Sequence, residues 1–600
     1  MTTPATDQIV CNRMTRKARL RAGLVCCVMA AVFSAFSYRL VSLQMDRSHT
    51  FAALADHAQI FKQVIPAQRG SIRDVHGEML AGEMPMRKVV ADGSHMPGDA
   101  LKEATSLLAT TLSLDGKMLG QKLTPDRRYL VIKHQVPEQA AEDLKAEVVR
   151  RKLHGIYFEP DSTRIYPNGS LLCHVVGFTD FNGQGIQGIE KSMNRYLEGH
   201  PGYRYITRDR AGTELVQHRG LEQEAKNGYN VQLTIDLGLQ TIVERELDAA
   251  VKKYAPETAT AIFMRPKTGE IVAMASRPYF DINERAKADS EQMKNRAIID
   301  MIEPGSTFKI VTLSGALNEK LVRPDTTVNC EGGRWEYAGK ILHDDHLLTT
   351  CTVHDVLVYS SNIGAAKLAM QLGENRLYSY IKQLGFGDRT GIDLPGEIVG
   401  MVHPTNQWTK ISITRIPMGQ GVAVTPIQMV MAMGAIANKG KLMMPQIIHS
   451  ITDDQNNTVK DFTPVMVRQV VSQETVKAVT SALEDVIIKG TAKHGAVPGY
   501  DAAGKTGTAQ KVSPQGGYMS GKYVVSFVGF LPARDPELVG MVMLDNATTR
   551  QGENYGGLVA APIFSSIAEK AMHYLNIDPT VPVATPTPAG ATVAVDLEHD

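Results

Sequence analysis

Ser306 and Lys309 stand three residues apart in Glu303-Pro304-Gly305-Ser306-Thr307-Phe308-Lys309, which places a hydroxyl and an amine on one face of any helix starting there. A serine hydroxyl is a poor nucleophile and needs a base within hydrogen-bond reach. Lysine can be that base when burial or a second cation strips its proton. Two further groups follow in order, Ser360-Ser361-Asn362 and Lys505-Thr506-Gly507-Thr508. Together they spell S-x-x-K, S-x-N and K-T-G, a set that points to serine acyl transfer.

Each string also has a decoy: Ser379 to Lys382, Ser192 to Asn194, and Lys267 to Gly269. A bare S-x-x-K is expected about once or twice by chance in a chain this long, so context must separate site from decoy. Pro304-Gly305 precedes Ser306, and the apolar run Phe308, Ile310, Val311, Leu313, Ala316, Leu317 after it predicts a buried helix. Ser379 lies inside a helical stretch with no turn signal to expose it. Lys267-Thr268-Gly269 reads as the turn of a β-hairpin joining Thr260 to Met264 with Ile271 to Ala275. Lys505 to Ala509, by contrast, precedes strand-like runs at Tyr523 to Phe530 and Leu538 to Leu544, so it is expected to be a sheet strand lining a cleft. Gly507 there lets a substrate backbone come close.

The elements that must position these residues belong to a chain of 600 residues, too long for one ordinary core. The formal net charge of +1, with no polybasic tract beyond the N-terminus, gives nucleic-acid binding no electrostatic support. Arg13, Arg16, Lys17, Arg19 and Arg21 precede the uncharged, mostly apolar run Ala22 to Tyr38. This predicts a cytoplasmic N-terminus over 1–21, a retained anchor over 22–43 and an extracytoplasmic remainder. A cleaved signal peptide is the competing reading.

Residues 46–227 read as an α+β region with long excursions. A strand at Val231 to Asp236 leading into a helix at Leu237 to Tyr254 opens a second domain, 228–576. Early and late strands with helices between them predict one antiparallel sheet flanked by helices. Residues 579–600, rich in Pro, Thr and Ala, read as a disordered tail.

The six cysteines make no even framework. Cys330 with Cys351 could close a local loop in an oxidising compartment, free buried thiols being the alternative. His343-Asp344-Asp345-His346 has metal-ligand residue types, but without spaced partners it reads as a polar loop near the cleft, and no metal or cofactor is expected. Trp408 is a candidate neighbour of the cleft, and His174 reads as a structural histidine.

Beyond the three motifs, longer blocks carry a family resemblance. Arg69-Gly70-Ser71-Ile72-Arg73-Asp74 with Gly77, Leu80 and Ala81 is similar to the start of the pedestal of class B penicillin-binding proteins, with Val75 where that pattern has arginine. Arg164, Tyr166, Pro167, Gly169, His174 and Gly177, then Gly188-Ile189-Glu190, resemble the next block. Gly419-Gln420-Gly421 with Thr425, Pro426 and Gln428, and Tyr555-Gly556-Gly557 with Ala561, Pro562 and Phe564, resemble stretches of the transpeptidase domain.

Within the class the likeness leans to the division-specific, FtsI-type D,D-transpeptidases. It implies an anchor, an elongated pedestal and a serine β-lactamase-like catalytic domain in the inner membrane, facing the periplasm. The implied substrate is a peptidoglycan stem peptide ending in D-Ala-D-Ala. Ser306 is then the nucleophile, Lys309 its base, Ser360 the proton relay, and Lys505 a second cation. The resemblance further implies that Asn362, Thr506, Gly507 and Thr508 bind substrate, with the N–H groups of Ser306 and Thr508 as oxyanion hole.

β-Lactams would be trapped as acyl-enzymes, and a SEDS-family glycosyltransferase with other division proteins would be partners. An elongation-type class B protein, a D,D-carboxypeptidase or β-lactamase-type hydrolase, and a β-lactam sensor or idle scaffold are the competing functions. Intact motifs and a short segment before the anchor count against the last.

Overall fold

A computed structural model describes residues 16–46, 60–207, 222–513, 515–549 and 554–582. Most of the expected cytoplasmic segment, Cys11 and nearly all of the expected tail lie outside them. The chain packs as two units.

The first unit gathers the N-terminal segment through Pro66 with 201–226. Its helix Arg16–Val41 starts six residues before the expected anchor, because the basic residues Arg16 to Arg21 continue the helix instead of preceding it. It is the one helix among the described residues long and apolar enough to cross a membrane. A small sheet of Ile60–Ile65, Gly202–Thr207 and Glu222–Gln223 completes this unit.

The second unit holds 67–200 and everything from 227 onward. Strand Asn230–Leu233, placed by sequence at the opening of the catalytic domain, pairs in parallel with Ile72–Arg73 and antiparallel with Ile448–Thr452. Pedestal and catalytic residues therefore share one seven-stranded sheet.

A buried carboxylate ties the pedestal blocks together. Glu190 Oε2 accepts from Arg69 Nε at 2.8 Å, and Glu190 Oε1 from Arg164 Nε at 2.7 Å. Arg69 also donates to Asn194 Oδ1 at 2.8 Å, and Arg164 to the Gly70 carbonyl at 2.8 Å. Three blocks far apart in sequence thus meet at one side chain that is wholly buried.

The catalytic portion is built on five antiparallel strands, β1 (Thr258–Met264), β2 (Ile271–Arg277), β3 (Ala503–Val512), β4 (Tyr518–Leu531) and β5 (Leu538–Asp545), in the order β2-β1-β5-β4-β3. Helices α1 (Leu237–Tyr254), α2 (Lys309–Asn318), α3 (Val353–Val358), α4 (Asn362–Leu372), α5 (Pro426–Ala437), α6 (Gln473–Ile488) and α7 (Gly556–Tyr574) surround it. Both faces of the sheet are covered, α1 and α7 on one and α5 on the other. This is why β1, β2 and β5 are almost continuously apolar and buried.

Phe564 of α7 lies 5.7 Å from the Phe263 ring and 4.8 Å from that of Phe527, ring centre to ring centre, which pins this helix to the sheet. The Thr425-Pro426-Gln428 block becomes a helix start. Thr425 and Gln428 form a reciprocal capping box with Pro426 in the first turn of α5.

The decoys fall where context put them. Lys267-Thr268-Gly269 is the turn between β1 and β2, its lysine paired with Glu537 and Asp535. Ser379 lies inside the helix Glu374–Gln383.

Candidate active site

The nucleophile turn is tighter than the sequence implied. Gly305–Phe308 is a 3-10 turn that continues into α2 at Lys309. Gly305 has φ +59°, and a Cβ there would lie 3.1 Å from the Thr508 carbonyl oxygen. Gly507 answers it from β3, where a Cβ would meet the Pro304 carbonyl at 3.0 Å. Two glycines therefore let an edge strand pass the serine turn at backbone distance. Because β3 pairs only with β4, its other edge is left for the cleft.

Lys309 is wholly buried, and its Nζ lies 3.1 Å from Ser306 Oγ, 3.0 Å from Ser360 Oγ, 2.8 Å from Asn362 Oδ1 and 2.5 Å from the Ser360 carbonyl. Burial pushes its pKa down to about 7, against the pull of the Asp344 and Asp345 carboxylates. A neutral amine has two N–H groups and one lone pair. The carbonyl oxygens of Asn362 and Ser360 can only accept, so they take the two N–H groups. The lone pair is then free for a hydroxyl proton. Ser360 holds φ +60°, a left-handed conformation costly for serine, in the loop between α3 and α4.

Lys505 is also wholly buried, and its Nζ has only long contacts to Thr506, at 3.4 Å to Oγ1 and 3.5 Å to the carbonyl. Burial, and secondarily the charge of Lys309, push its pKa well down. No carboxylate pairs with it among the described residues. Thr508 Oγ1 accepts the Gly556 N–H at 3.1 Å, which leaves its own proton to donate into the cleft.

Gly556 is packed so closely that a Cβ would fall 2.4 Å from the Gly507 carbonyl oxygen, and one on Gly557 would fall 2.3 Å from that of Thr491. The Tyr555-Gly556-Gly557 block is thus the docking of α7 onto β3. Thr506 Oγ1 lies 3.0 Å from Thr491 Oγ1.

Sequence reasoning missed Asp344. The histidines and aspartates of 343–346 do not converge; Asp344 alone turns inward, where it is 7 % exposed. Its carboxylate accepts from Ser361 Oγ at 2.5 Å, from the Asn362 N–H at 2.5 Å and from the Ile363 N–H at 2.9 Å, capping α4. The His343 carbonyl accepts from Asn362 Nδ2 at 2.8 Å. An Asp before a distant Asn carries no local spacing signal, so only the fold shows the pair.

Cys330 and Cys351 carry free thiols whose sulfurs lie 2.7 Å apart across a two-stranded ladder, and Ser361 Oγ lies 3.6 Å from Cys330 Sγ. Trp408 is half-buried against the core, its Nε1 donating to the His403 carbonyl. His174 is buried with Nε2 2.7 Å from the Gln292 carbonyl, and burial pushes its pKa down to about 4.

Residues 259–569 match the family described as the penicillin binding protein transpeptidase domain, and residues 64–233 match the penicillin-binding protein dimerisation domain. The chain is 36 % identical to stage V sporulation protein D of Bacillus subtilis over 91 % of its own length and 84 % of the relative's. It is 31 % identical to the peptidoglycan D,D-transpeptidase FtsI of Escherichia coli over 93 % of its own length and 92 % of the relative's. Among solved structures, penicillin-binding protein 3 of Mycobacterium tuberculosis complexed with aztreonam superposes with a TM-score of 0.67 at 29 % identity, covering 87 % of this chain and all of that one.

Proposed function

The chain belongs to the penicillin-binding proteins, with a dimerisation domain followed by a transpeptidase domain, and from this we propose that it cross-links peptidoglycan as a D,D-transpeptidase acting through Ser306. The observation that carries the reading is Lys309 Nζ at 3.1 Å from Ser306 Oγ, with burial holding the amine near neutrality.

Ser306 Oγ attacks the carbonyl carbon of the penultimate D-Ala while its proton passes to Lys309 Nζ. The backbone N–H groups of Ser306 and Thr508 hold the oxyanion, supported by the close approach of the Gly305 turn to Thr508. The C–N bond to the terminal D-Ala then breaks, and Ser360 gives its proton to the departing amine while taking the one held by Lys309, 3.0 Å away. Lys505, Thr506 and Thr508 bind the terminal carboxylate, whose charge returns Lys505 to its protonated form. Asn362 orients the donor amide. An acceptor amine on a second strand attacks the acyl-enzyme, forms the new amide and restores Ser306. A β-lactam ring opens onto Ser306 by the same attack.

Helix Arg16–Val41 serves as a membrane anchor, the one candidate span among the described residues. Its basic N-terminal turn supports a cytoplasmic N-terminus and a catalytic domain on the outer side of the inner membrane. The likeness to the peptidoglycan D,D-transpeptidase FtsI supports a role in wall synthesis, and the family resemblance of the motif blocks points to the septum, with a SEDS-family glycosyltransferase and division proteins as partners.

Fluorescent penicillin tests the chemistry: it labels the wild type covalently and fails to label Ser306→Ala. Persistent labelling of that variant overturns the assignment. Depletion in the host tests the role, since filaments with blocked septa support division and rounded cells support elongation.

A further inference from the structure

Arg415 is a cation beside the serine turn that meets no anion among the described residues. It ends the short helix Ser412–Arg415 and precedes the Ile416–Met418 turn. That turn packs on the serine turn, and a Cβ on the following Gly419 would fall 2.3 Å from the Gly305 carbonyl oxygen. The guanidinium makes one long contact, Nη2 to the Ile341 carbonyl at 3.4 Å. Ile341 lies two residues before His343, whose carbonyl holds the Asn362 side chain.

Arg415 and the Tyr518 phenol also lie close enough to interact electrostatically. Tyr518 donates to Glu303 at 3.0 Å, three residues before Ser306. Arg415 is therefore framed by the three segments that carry or support Ser306, Asn362 and the tip of the β3–β4 hairpin. Its Nη1 is buried without a hydrogen-bond partner, and it forms no ion pair among the described residues.

Leaving a buried guanidinium donor unfilled costs about 1–3 kcal/mol, and a planar fork of N–H donors matches a carboxylate better than any neutral group. Lys505 already serves the terminal carboxylate in the reading above. We propose that Arg415 binds a second carboxylate, carried by the acyl donor upstream of the scissile bond. The donor is thus a peptide, or a β-lactam side chain, with an acidic group beside the reacting amide. This rests on Ser306 being the acylated residue, and it goes further by specifying the charge of the donor.

Carbenicillin is benzylpenicillin with a carboxylate added to its side chain, so the pair isolates that charge. The second-order acylation rate for carbenicillin, divided by that for benzylpenicillin, is measured in the wild type, Arg415→Gln and Arg415→Lys. The ratio is expected to fall about tenfold in R415Q and less in R415K, a tenfold change being about 1.4 kcal/mol. An unchanged ratio overturns the proposal.

Should R415Q not fold, the wild-type ratio is measured from low to high salt. It falls as screening weakens an Arg–carboxylate contact, and a flat ratio overturns the proposal. Failure of benzylpenicillin to acylate the wild type instead overturns the Ser306 reading, which separates the two failures.

Discussion

The carboxylate of Asp344 accepts the backbone N–H of Asn362 at 2.5 Å, so the residue proposed to orient the donor amide is itself held by a buried cap outside all three motifs. The same carboxylate takes the Ser361 hydroxyl and is the leading influence raising the pKa of Lys309 against burial. Asp344→Ala is expected to cost about 1–2 kcal/mol, the usual range for a lost cap. It also slows acylation and moves the lower inflection of the pH–acylation profile downward, because the pull that holds a proton on Lys309 is gone. Asp344→Asn keeps an acceptor for the Asn362 and Ile363 N–H groups and loses the charge, so it restores stability more than it restores the inflection. A structural role alone would move the melting curve and leave the pH profile in place.

Lys309 gives the pH dependence a definite sign. Its folded pKa of about 7 lies below the ordinary lysine value of 10.5, so the folded state releases a proton that the unfolded chain keeps across that window. Penicillin acylation should rise with pH through about 7. The stability penalty from this group is full below about 7 and fades as pH climbs toward 10.5. Lys309→Met should shrink that difference in melting temperature between the two pH limits, leaving the part due to Lys505, and lower acylation by about 10²–10⁴-fold, the usual worth of a general base.

Much of this site was readable because its parts are local. A Pro-Gly before an apolar helix, a polar loop between helices and a late glycine-bearing strand each announce themselves within a few residues, and Ser306, Ser360 and Lys505 lie where those signals put them. The rest depends on pairs far apart in sequence. Asp344 reaches Asn362 across 18 residues, and Arg415 lies 74 residues from Ile341. The shared seven-stranded sheet was hidden for the same reason. Strand Asn230–Leu233 shows an alternating pattern, but nothing in that pattern names Ile72–Arg73 as its neighbour.

Gly556 offers a steric test of how α7 sets the substrate strand. A Cβ there would fall 2.4 Å from the Gly507 carbonyl and 2.5 Å from that of Ser526, both backbone atoms in β3 and β4. Gly556→Ala should push the helix start off the sheet, break the hydrogen bond to Thr508 and cost about 1–3 kcal/mol. Acylation should drop with it. Gly98→Ala is the control, since a Cβ there meets nothing within 4 Å, and it should stay within about 0.5 kcal/mol of the wild type. Thermal melts and penicillin labelling of both variants read the difference.

Glu190 separates what a buried ion cluster contributes from what its loss costs. The carboxylate is wholly buried between Arg69 and Arg164, whose side chains are only 5 % and 6 % exposed. Glu190→Gln leaves two guanidiniums without their anion, and such breakage typically costs about 3–5 kcal/mol. Replacing all three with apolar residues of similar size removes the desolvation cost along with the attraction, which is often neutral or stabilising by that same reasoning. The triple variant Arg69→Met, Arg164→Met, Glu190→Leu should therefore be more stable in urea than Glu190→Gln. Arg69 also donates to Asn194 and to the Glu190 carbonyl, and Arg164 to Gly70, so three acceptors lose their donors in the triple variant, and it should remain below the wild type. A triple variant weaker than the single one would show that these hydrogen bonds to the neighbouring blocks, rather than the charges, hold the three segments together.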